Sequence, residues 1–387
     1  MQRGARKLPG QISGKPELTD RIPVHRPKLP ALPAISPYIR RIDAARWYSN
    51  NGPLAKELES RLAAKAGLPA SNVLVTSSCT SAITACLRVL APGGGQCLMP
   101  SFTFPATAGA AVQAGLLPSF ADVDMTGWQL TPDIAGDAIM ETGDRIAAVV
   151  AVSPFGAPID IQGWVDLATA RKLPVIIDAA AAADAVLSRR MAPEIPICIS
   201  LHATKMLGCG EGGAIFLPDS APVRDIRAAV NFGFSGERSA RLPGFNGKMS
   251  EYHAAIGHAA LDEWAMTRAA FTGRASIWRG ALASAGLGAL RLQEGFGLTW
   301  TSTSLVVDLG TPRAREIAQS FDRRGIETRR WWEDGCHRQP AYADMPRTSL
   351  ESTDRLAARL LGLPFFIDIE PAAIERITGA LARELTG

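Results

Sequence analysis

Residues 146–179, IAAVVAVSPFGAPIDIQGWVDLATARKLPVIIDA, show the pattern that predicts the fold of this chain. An apolar run rich in Val and Ile (146–153) comes first, a stretch of mixed polarity follows, and a second apolar run (173–179) ends the segment. Apolar strands joined by a helical crossover are typical of parallel sheets that helices cover on both faces. The segment therefore predicts one strand–helix–strand unit of an α/β fold.

The same alternation extends over residues 53–218. A predicted helix over 54–67 has apolar residues at every fourth position, which places them on one face, and Gly67 ends it. These features predict a large α/β domain with a mostly parallel sheet. The other candidate strands are residues 72–77, 97–101, 118–124, 197–200 and 213–218.

Beyond residue 250 the pattern changes. A long helical run (251–271) is followed by a strand–helix unit (303–325) and by an amphipathic closing helix (371–385). Because single hydrophobic cores stop growing near ~250–300 residues, 387 residues favour two lobes. We predict an N-terminal arm (1–35), a large domain (36–250) and a smaller C-terminal α/β domain (251–387).

Composition excludes several classes of function. The 41 Lys and Arg against 37 Asp and Glu leave a net charge of only +4 and no long basic run, which disfavours nucleic acid as a partner. Pro, Gly and polar residues interrupt every uncharged stretch, so no membrane span is predicted. The six cysteines lack CxxC spacing and the five histidines lack HxxxH spacing, which predicts reduced thiols, a cytoplasmic location and no metal site.

The segment ISLHATKMLGCGEGGAIF (199–216) carries the first candidate catalytic residue. A strand ends at Ser200, Lys205 follows five positions later, and a glycine-dense loop leads into another strand. Ligands bind at the carboxyl ends of parallel strands, so Ser200 and Lys205 can face one site. A lysine in a loop is more often a solvated charge, and this segment alone leaves both interpretations open.

Asp178 is the second candidate, because it ends the apolar run PVIIDA and is followed by small residues that leave room for a flat ligand. A buried carboxylate at a strand end needs a cationic partner. A protonated pyridine nitrogen is one such partner, and the charge it keeps is what makes the ring an electron sink. A structural salt bridge or a helix cap is the alternative.

Two further segments suggest a phosphate site and an aromatic wall. In TSSCTSAITACL (76–87), Thr80 and Ser81 begin a helix after a strand, where hydroxyls and free backbone N–H groups can bind a phosphate. Ordinary helix capping is the alternative. In MPSFTFPATA, Phe102 or Phe104 could lie flat on an aromatic cofactor, although an aromatic at such a position is more often part of the core.

Taken in order, these segments resemble the DegT/StrS family of nucleotide-sugar aminotransferases, which are fold-type I enzymes that use pyridoxal phosphate (PLP). The resemblance covers about residues 48–385. The matching segments are NNGPLAKELE, TSSCTSAI, PSFTFPATA, SPFGAPIDI, IIDAAAAADA, SLHATKMLGCGEGGAI, NFGFSG, GFNGKMSEYHAAIG, RRGIETR, HRQPAYAD and LLGLPFF.

The resemblance implies roles for individual residues. Lys205 would bind PLP covalently, Asp178 would bind its pyridine nitrogen, and Phe104 would stack on its ring. Asn246 would reach the phosphate from the neighbouring subunit, which implies a homodimer with shared sites. The phosphate contacts within the subunit would be Ser200, Thr80 and Ser81, and the residues on the substrate side would be His337 and Asn51.

The motifs look most like the viosamine-forming branch, which implies transfer of an amino group from L-glutamate to C4 of dTDP-4-keto-6-deoxyglucose. Such products serve glycan or O-antigen (lipopolysaccharide) biosynthesis. The chain departs from the family pattern at Ala181, where Gln or His is common, at Cys79, where glycine is usual, and at Trp331 and Trp332, where smaller aromatics are usual. These departures concern substrate choice more than chemistry, and they leave a GDP- or UDP-linked sugar and amination at C3 as alternatives.

Two other functions compete with the aminotransferase interpretation. A sugar dehydratase shares the scaffold but has His in place of the lysine, so Lys205 disfavours that reaction. A non-catalytic sensor that has kept the fold is the second alternative, and Ala181 is the residue that favours it, because a side chain usual beside the ring is missing there.

Overall fold

The structure, a computed structural model, describes residues 21–143, 145–188, 193–219 and 221–386. Most of the predicted N-terminal arm, residues 1–20, lies outside the described residues. The remainder of the chain contains a seven-stranded sheet, a two-stranded sheet and the helices that surround them.

The seven-stranded sheet confirms the seven strands predicted over residues 72–218, and its order is β1-β7-β6-β5-β4-β2-β3. Strands β3, β2, β4, β5 and β6 are parallel to one another, whereas β7 runs antiparallel to both β1 and β6. The sheet is therefore mostly parallel, with one reversed strand. The strands are β1 (Val73–Thr76), β2 (Gln96–Pro100), β3 (Leu117–Ala121), β4 (Ile146–Val152), β5 (Val175–Asp178), β6 (Ile197–Ser200) and β7 (Gly213–Phe216).

Helices cover both faces of this sheet. Consecutive strand residues such as Val149 and Val150 point to opposite faces, and each lies in a different hydrophobic cluster. The strands are apolar throughout because both faces are buried. The helices are α1 (Leu32–Ala45), α2 (Pro53–Ala66), α3 (Cys79–Leu90), α4 (Pro105–Gln113), α5 (Pro132–Thr142), α6 (Ile161–Arg171), α7 (Ala183–Leu187) and α8 (Val223–Ala229).

Helix α2 begins and ends as its sequence predicts. Pro53 occupies the first turn, and Gly67 ends the helix in the left-handed conformation at φ +76°. The carboxylate of Glu251 accepts hydrogen bonds from the backbone N–H groups of Leu54 (2.8 Å) and Ala55 (2.9 Å). Glu251, which is distant in sequence, thus provides hydrogen-bond acceptors for two backbone N–H groups in the first turn of α2.

The predicted helical run over 251–271 is two helices, α9 (Glu251–Asp262) and α10 (Trp264–Ser284). The break is at Glu263, which keeps helical backbone angles but whose N–H bonds to the Ala259 and Leu261 carbonyls. Helix α9 packs against α1 and α2, so it lies beside the large sheet.

The C-terminal part is built on an antiparallel pair of strands, β8 (Leu305–Asp308) and β9 (Leu360–Leu363). Helices α11 (Ala314–Arg323), α12 (Glu351–Arg359) and α13 (Pro371–Thr386) complete it. The apolar stripe predicted for the closing helix is confirmed, and Ile374, Ile377 and Leu381 of α13 are buried in the main core. The division of the chain at residue 250 into two domains stays a prediction, because one hydrophobic cluster includes residues from both parts.

The described start of the chain is attached to this C-terminal part. Ile22 pairs with Ile326 in a short parallel bridge, and the N–H of Phe365 donates to the carbonyl of Val24 at 3.0 Å. The side chain of Val24 is buried. Residues 22–25 therefore have fixed neighbours, although the sequence predicts them as part of an arm.

The six cysteines are all free thiols with buried side chains. Within the described residues no group of three or more His, Cys, Asp and Glu side chains is arranged to hold a metal ion. Of the helices in the described part of the chain, none combines the length and the apolar character that a bilayer crossing requires.

Candidate active site

Two of the predicted site residues, Asp178 and Ser200, lie at the carboxyl edge of the sheet. Strands β4, β5 and β6 are adjacent and parallel, so their last residues, Val152, Asp178 and Ser200, lie along one edge. This is the position at which open α/β sheets bind ligands.

Asp178 is buried at this edge with only neutral hydrogen-bond donors bonded to it among the described residues. Its Oδ2 accepts from the Thr107 hydroxyl at 2.8 Å, and its Oδ1 accepts from the backbone N–H of Ala180 at 3.1 Å. Burial raises the pKa of Asp178, while these two hydrogen bonds and the charge of Lys205 act in the opposite direction. Two hydrogen bonds leave lone pairs of the carboxylate free, so the group can accept another charged donor.

Lys205 lies in the loop between β6 and β7. The loop is closed by backbone hydrogen bonds from Ala203 N–H to the Gly210 carbonyl (2.8 Å) and from Lys205 N–H to the His202 carbonyl (2.8 Å). Gly210 has φ +96°, a conformation that favours glycine. Burial lowers the pKa of the Lys205 amine, whereas the nearby Cys79 and Asp178 side chains act to raise it.

Helix α3 begins beside this loop with a cluster of hydroxyl groups. Ser78 is its N-cap and accepts from the N–H of Ser81 at 3.1 Å, while the hydroxyls of Ser81 and Ser77 lie 2.9 Å apart. Thr80, in the same first turn, is half-buried. Strand β7 can lie this close to the start of α3 because Gly213 has no Cβ atom. A Cβ atom at this position would lie 2.5 Å from the Ser78 carbonyl carbon. The structure thus places Thr80 and Ser81 at a helix N-terminus, as predicted.

The other predicted phosphate contact, Ser200, is buried, and its hydroxyl accepts from the backbone N–H of His202 at 3.2 Å. It ends strand β6, which is a neighbour of the strand that Asp178 ends. Ser200 therefore lies on the same edge as the carboxylate.

The structure distinguishes the two phenylalanines of the β2–α4 segment. Phe102 is buried and belongs to a hydrophobic cluster, whereas Phe104, the N-cap residue of α4, is 60% exposed. Thr107 of the same helix is the residue that bonds to Asp178. Phe104 therefore has an exposed ring at the start of the helix that carries Thr107, whereas the ring of Phe102 is buried.

The two tryptophans lie against the same edge. Trp332 stacks on Phe155 with ring centroids 4.2 Å apart and meets Phe102 edge-on at 4.7 Å. Phe155 has φ +55°, a strained conformation for an aromatic residue. Trp331 packs against the ring of His25 at 4.8 Å. The large aromatics thus fill space next to the loop that follows β4.

Ala181 and Cys79, two of the departures from the family pattern, both have close neighbours at the site. A Cβ atom on Gly156 would lie 2.7 Å from the Ala181 carbonyl oxygen, so the loop after β4 packs directly on the backbone there. Cys79 is buried at the first residue of α3, and burial raises the pKa of its thiol well above the ordinary value. Cys79 is therefore a neutral thiol close to the Lys205 amine.

His337 reaches the site edge, but its ring is already bonded within the chain. Its Nδ1 lies 2.7 Å from the Ser101 hydroxyl, and its Nε2 lies 3.3 Å from a carboxylate oxygen of Asp354. Burial lowers the pKa of His337, and Asp354 acts in the opposite direction. Both ring nitrogens have partners, so a role in binding substrate stays a prediction.

The other two predicted residues, Asn246 and Asn51, are both associated with Asn231. Asn51 lines a cavity of about 460 Å³ together with Asn231, and Lys205 is not among the described residues that line it. Asn246 is exposed, pairs with Asn231 in an isolated bridge, and accepts a hydrogen bond from the Nζ ammonium of Lys248 at 2.7 Å. Gly247, the next residue, accepts from the backbone N–H of Ser77 at 2.7 Å, so Asn246 lies close to the hydroxyl cluster of its own chain, and its contribution to a partner's site stays a prediction.

Two residues at the site are absent from the sequence-based prediction. Thr107 follows Phe104 by three positions, and a threonine in the first turn of a helix at the strand edge is the signal that could have indicated it. His25 lines the same cavity as Lys205 but lies 180 positions away in sequence. No local pattern connects them, because a contact between distant segments brings them together.

The residues present fit PLP. Asp178 is a buried carboxylate that has spare lone pairs and lacks a directly bonded cation among the described residues, which suits a protonated pyridine nitrogen. The hydroxyl-rich N-terminus of α3 suits a phosphate. The exposed ring of Phe104 suits a flat aromatic group, and the Lys205 amine suits covalent attachment.

Comparison with known proteins agrees with this assignment. Residues 33–382 match the DegT/DnrJ/EryC1/StrS aminotransferase family. Protein Rv3402c of Mycobacterium tuberculosis is 30% identical over 93% of this chain and 89% of its own length. The dTDP-4-amino-4,6-dideoxy-D-glucose transaminase of Escherichia coli is 26% identical over 93% of this chain and 98% of its own length.

The fold also matches a solved structure. A putative PLP-dependent aminotransferase from Bacillus cereus superimposes with a TM-score of 0.86 at 27% identity, covering 94% of this chain and 100% of the other. Together with the site, these matches indicate PLP as the cofactor. The chain therefore belongs to the DegT/DnrJ/EryC1/StrS aminotransferase family, and it is a PLP-dependent sugar aminotransferase.

Proposed function

We propose that this aminotransferase moves the amino group of L-glutamate to the keto carbon of a nucleotide-linked 4-keto-6-deoxy sugar, with dTDP-4-keto-6-deoxyglucose as the expected acceptor. The observation that supports the chemistry is the desolvated amine of Lys205 near the buried carboxylate of Asp178. The similarity to the E. coli transaminase supports the choice of acceptor.

In this proposal Asp178 holds the cofactor ring and Lys205 moves protons. PLP, when bound, supplies a protonated ring that withdraws electrons from the substrate carbon. The carboxylate of Asp178 keeps that ring protonated through a charge-assisted hydrogen bond. Because burial lowers the pKa of Lys205, a larger fraction of its amine is neutral and able to accept a proton from the substrate carbon.

The phosphate of the cofactor would bind at the N-terminus of α3. Thr80 and Ser81 offer hydroxyls and backbone N–H groups in its first turn, and Ser200 lies on the neighbouring strand end. The positive end of the helix dipole favours an anion at this position. The face of Phe104 would limit the movement of the ring.

We further propose a homodimer in which Asn246 completes the site of the partner subunit. Asn246 is exposed, and exposed aromatic side chains occur at Trp47, Tyr48 and Tyr252. Exposed apolar patches of this kind mark association surfaces. Asn51 and His337 would then contact the sugar nucleotide, and the products would serve O-antigen synthesis in the cytoplasm.

The test is product analysis with a panel of acceptors. The PLP-loaded protein is incubated with L-glutamate and dTDP-, GDP- or UDP-linked 4-keto and 3-keto sugars, and 2-oxoglutarate and the amino sugar are quantified by mass spectrometry. We expect equal amounts of 2-oxoglutarate and 4-amino sugar with the dTDP-linked acceptor. A preference for a 3-keto, GDP- or UDP-linked sugar would mean that this sugar, and not dTDP-4-keto-6-deoxyglucose, is the acceptor. A deoxygenated product would indicate a dehydratase, and no product with any acceptor would indicate a sensor.

A further inference from the structure

Lys248 binds the exposed side chain of Asn246 from two positions further along the chain. Its Nζ donates a hydrogen bond to Oδ1 of Asn246 at 2.7 Å. Both residues form isolated β-bridges, Asn246 with Asn231 and Lys248 with Thr76. In such an extended segment, side chains two positions apart lie on the same face. The proposed function uses Asn246 and gives Lys248 no role.

The backbone between these two residues is fixed next to the hydroxyl cluster at the start of α3. The carbonyl of Gly247 accepts from the N–H of Ser77 at 2.7 Å, and the N–H of Gly247 donates to the Val230 carbonyl at 2.9 Å. Gly247 is buried, and a Cβ atom there would lie 3.1 Å from the Cβ atom of Val230. Asn246 and Lys248 therefore extend from a backbone that has neighbours on both sides.

The ammonium group of Lys248 has a second neighbour, the ring of Phe232. Nζ lies 4.0 Å from the ring centroid, a distance at which a cation and an aromatic face attract each other. The N–H of Phe232 donates to the Phe245 carbonyl at 3.1 Å, and a Cβ atom on Gly244 would lie 2.5 Å from the Phe232 carbonyl carbon. The position of Phe232 is thus fixed, and it limits the movement of the Lys248 side chain.

The chemistry of the two side chains determines how the amide of Asn246 is oriented. An ammonium group has three N–H donors and no acceptor, so only the amide oxygen can face it. The amide nitrogen Nδ2 then points away from Lys248, and it has no hydrogen-bond partner among the described residues. Asn246 therefore offers two N–H donors at an exposed position, and a phosphate accepts hydrogen bonds of this kind.

We propose that Lys248 is a positioning residue that turns the amide N–H groups of Asn246 toward the phosphate of PLP in the homodimer, an inference that rests on the proposed function. Without Lys248, either end of the amide could face the phosphate, and the phosphate repels the amide oxygen. The side chain of Asn246 would also have to be ordered when the cofactor binds, which costs conformational entropy. Lys248 acts through Asn246 in this account.

A double-mutant cycle on cofactor binding tests the inference. The protein is freed of PLP, and its dissociation constants for PLP and for pyridoxal, which lacks the phosphate, are measured by fluorescence titration. Lys248→Met should weaken PLP binding about threefold to tenfold, the cost of ordering one side chain, and should leave pyridoxal binding unchanged. In an Asn246→Ala background, Lys248→Met should have no further effect. Lys248→Arg, which keeps an N–H donor, should restore most of the affinity for PLP.

Lys65→Met is the matched control, because Lys65 is exposed and its ammonium group also faces an aromatic ring, 5.8 Å from the centroid of Trp264. It should keep the wild-type affinity for PLP. Normal affinity in Lys248→Met, beside weakened binding in Asn246→Ala, would overturn the inference. An equal loss with and without the Asn246 side chain would also overturn it, because Lys248 would then act on the phosphate directly. Normal binding in Asn246→Ala would instead remove the proposed role of Asn246, and the inference with it.

Discussion

At the scale of single residues, the burial of Asp178 lowers the stability of the folded protein when PLP is not bound. Its carboxylate is buried, and its described hydrogen-bond partners, Thr107 and the N–H of Ala180, are neutral. Burial raises its pKa above the value in the unfolded chain, so the folded state binds a proton more readily. The ionised carboxylate therefore reduces stability at neutral pH, and the reduction accumulates as pH rises from the unfolded-state pKa through the folded-state pKa.

Asp178→Asn tests this account. Without PLP, the variant should unfold at the same temperature as the wild type or higher, and the difference should shrink as pH falls toward the ordinary pKa of an aspartate. With PLP, its affinity for the cofactor should fall about tenfold to hundredfold, because a charge-assisted hydrogen bond is lost. Thermal unfolding and PLP titration measure the two effects. A variant that is less stable without PLP yet binds PLP normally would show that Asp178 is structural.

Residue positions were predictable where a local pattern carries them. Lys205 and Asp178 each follow an apolar strand, so the sequence predicts both at the sheet edge, and the structure places them there. His25 could not be found in this way, because it reaches Lys205 through contacts of Val24 with the C-terminal part of the chain. The same holds for the bond of His337 to Ser101 across 236 positions.

At the scale of elements, all seven predicted strands of the large sheet are confirmed, but the direction of β7 was not predicted. Strand residues buried on both faces have the same apolar pattern in either direction. The direction follows from the loop over 201–212, which returns along the sheet edge without a crossover helix. The break between α9 and α10 was also missed, because Glu263 is a good helix former.

Glu251→Ala tests the cap of α2. The carboxylate of Glu251 is buried and accepts from two backbone N–H groups at the N-terminus of that helix. Its loss should lower the free energy of unfolding by about 1–3 kcal/mol, the cost of leaving buried donors without partners. Glu375→Ala, at an exposed position of α13, should change it by less than about 0.5 kcal/mol. Equal denaturation midpoints for the two variants would contradict the role of the cap.

At the scale of the whole molecule, the proposed homodimer makes a prediction about mixed subunits. If Asn246 serves the site of the partner subunit, a hybrid of Lys205→Ala and Asn246→Ala chains contains one site with both residues intact. Random exchange of two inactive variants should therefore restore about a quarter of the wild-type activity, since about half of the dimers are hybrids with one intact site each. Activity no higher than that of the separate variants would mean that each chain forms its own site.

The central claim, that Lys205 carries the cofactor, can be tested most directly by trapping the attachment. The purified protein is loaded with PLP, reduced with borohydride, digested and examined by peptide mass spectrometry. The account predicts a reduced pyridoxyl group on Lys205, and its absence from protein that has first been treated with L-glutamate and separated from free PLP. Attachment at another lysine, or no attachment in protein that otherwise folds, would contradict it.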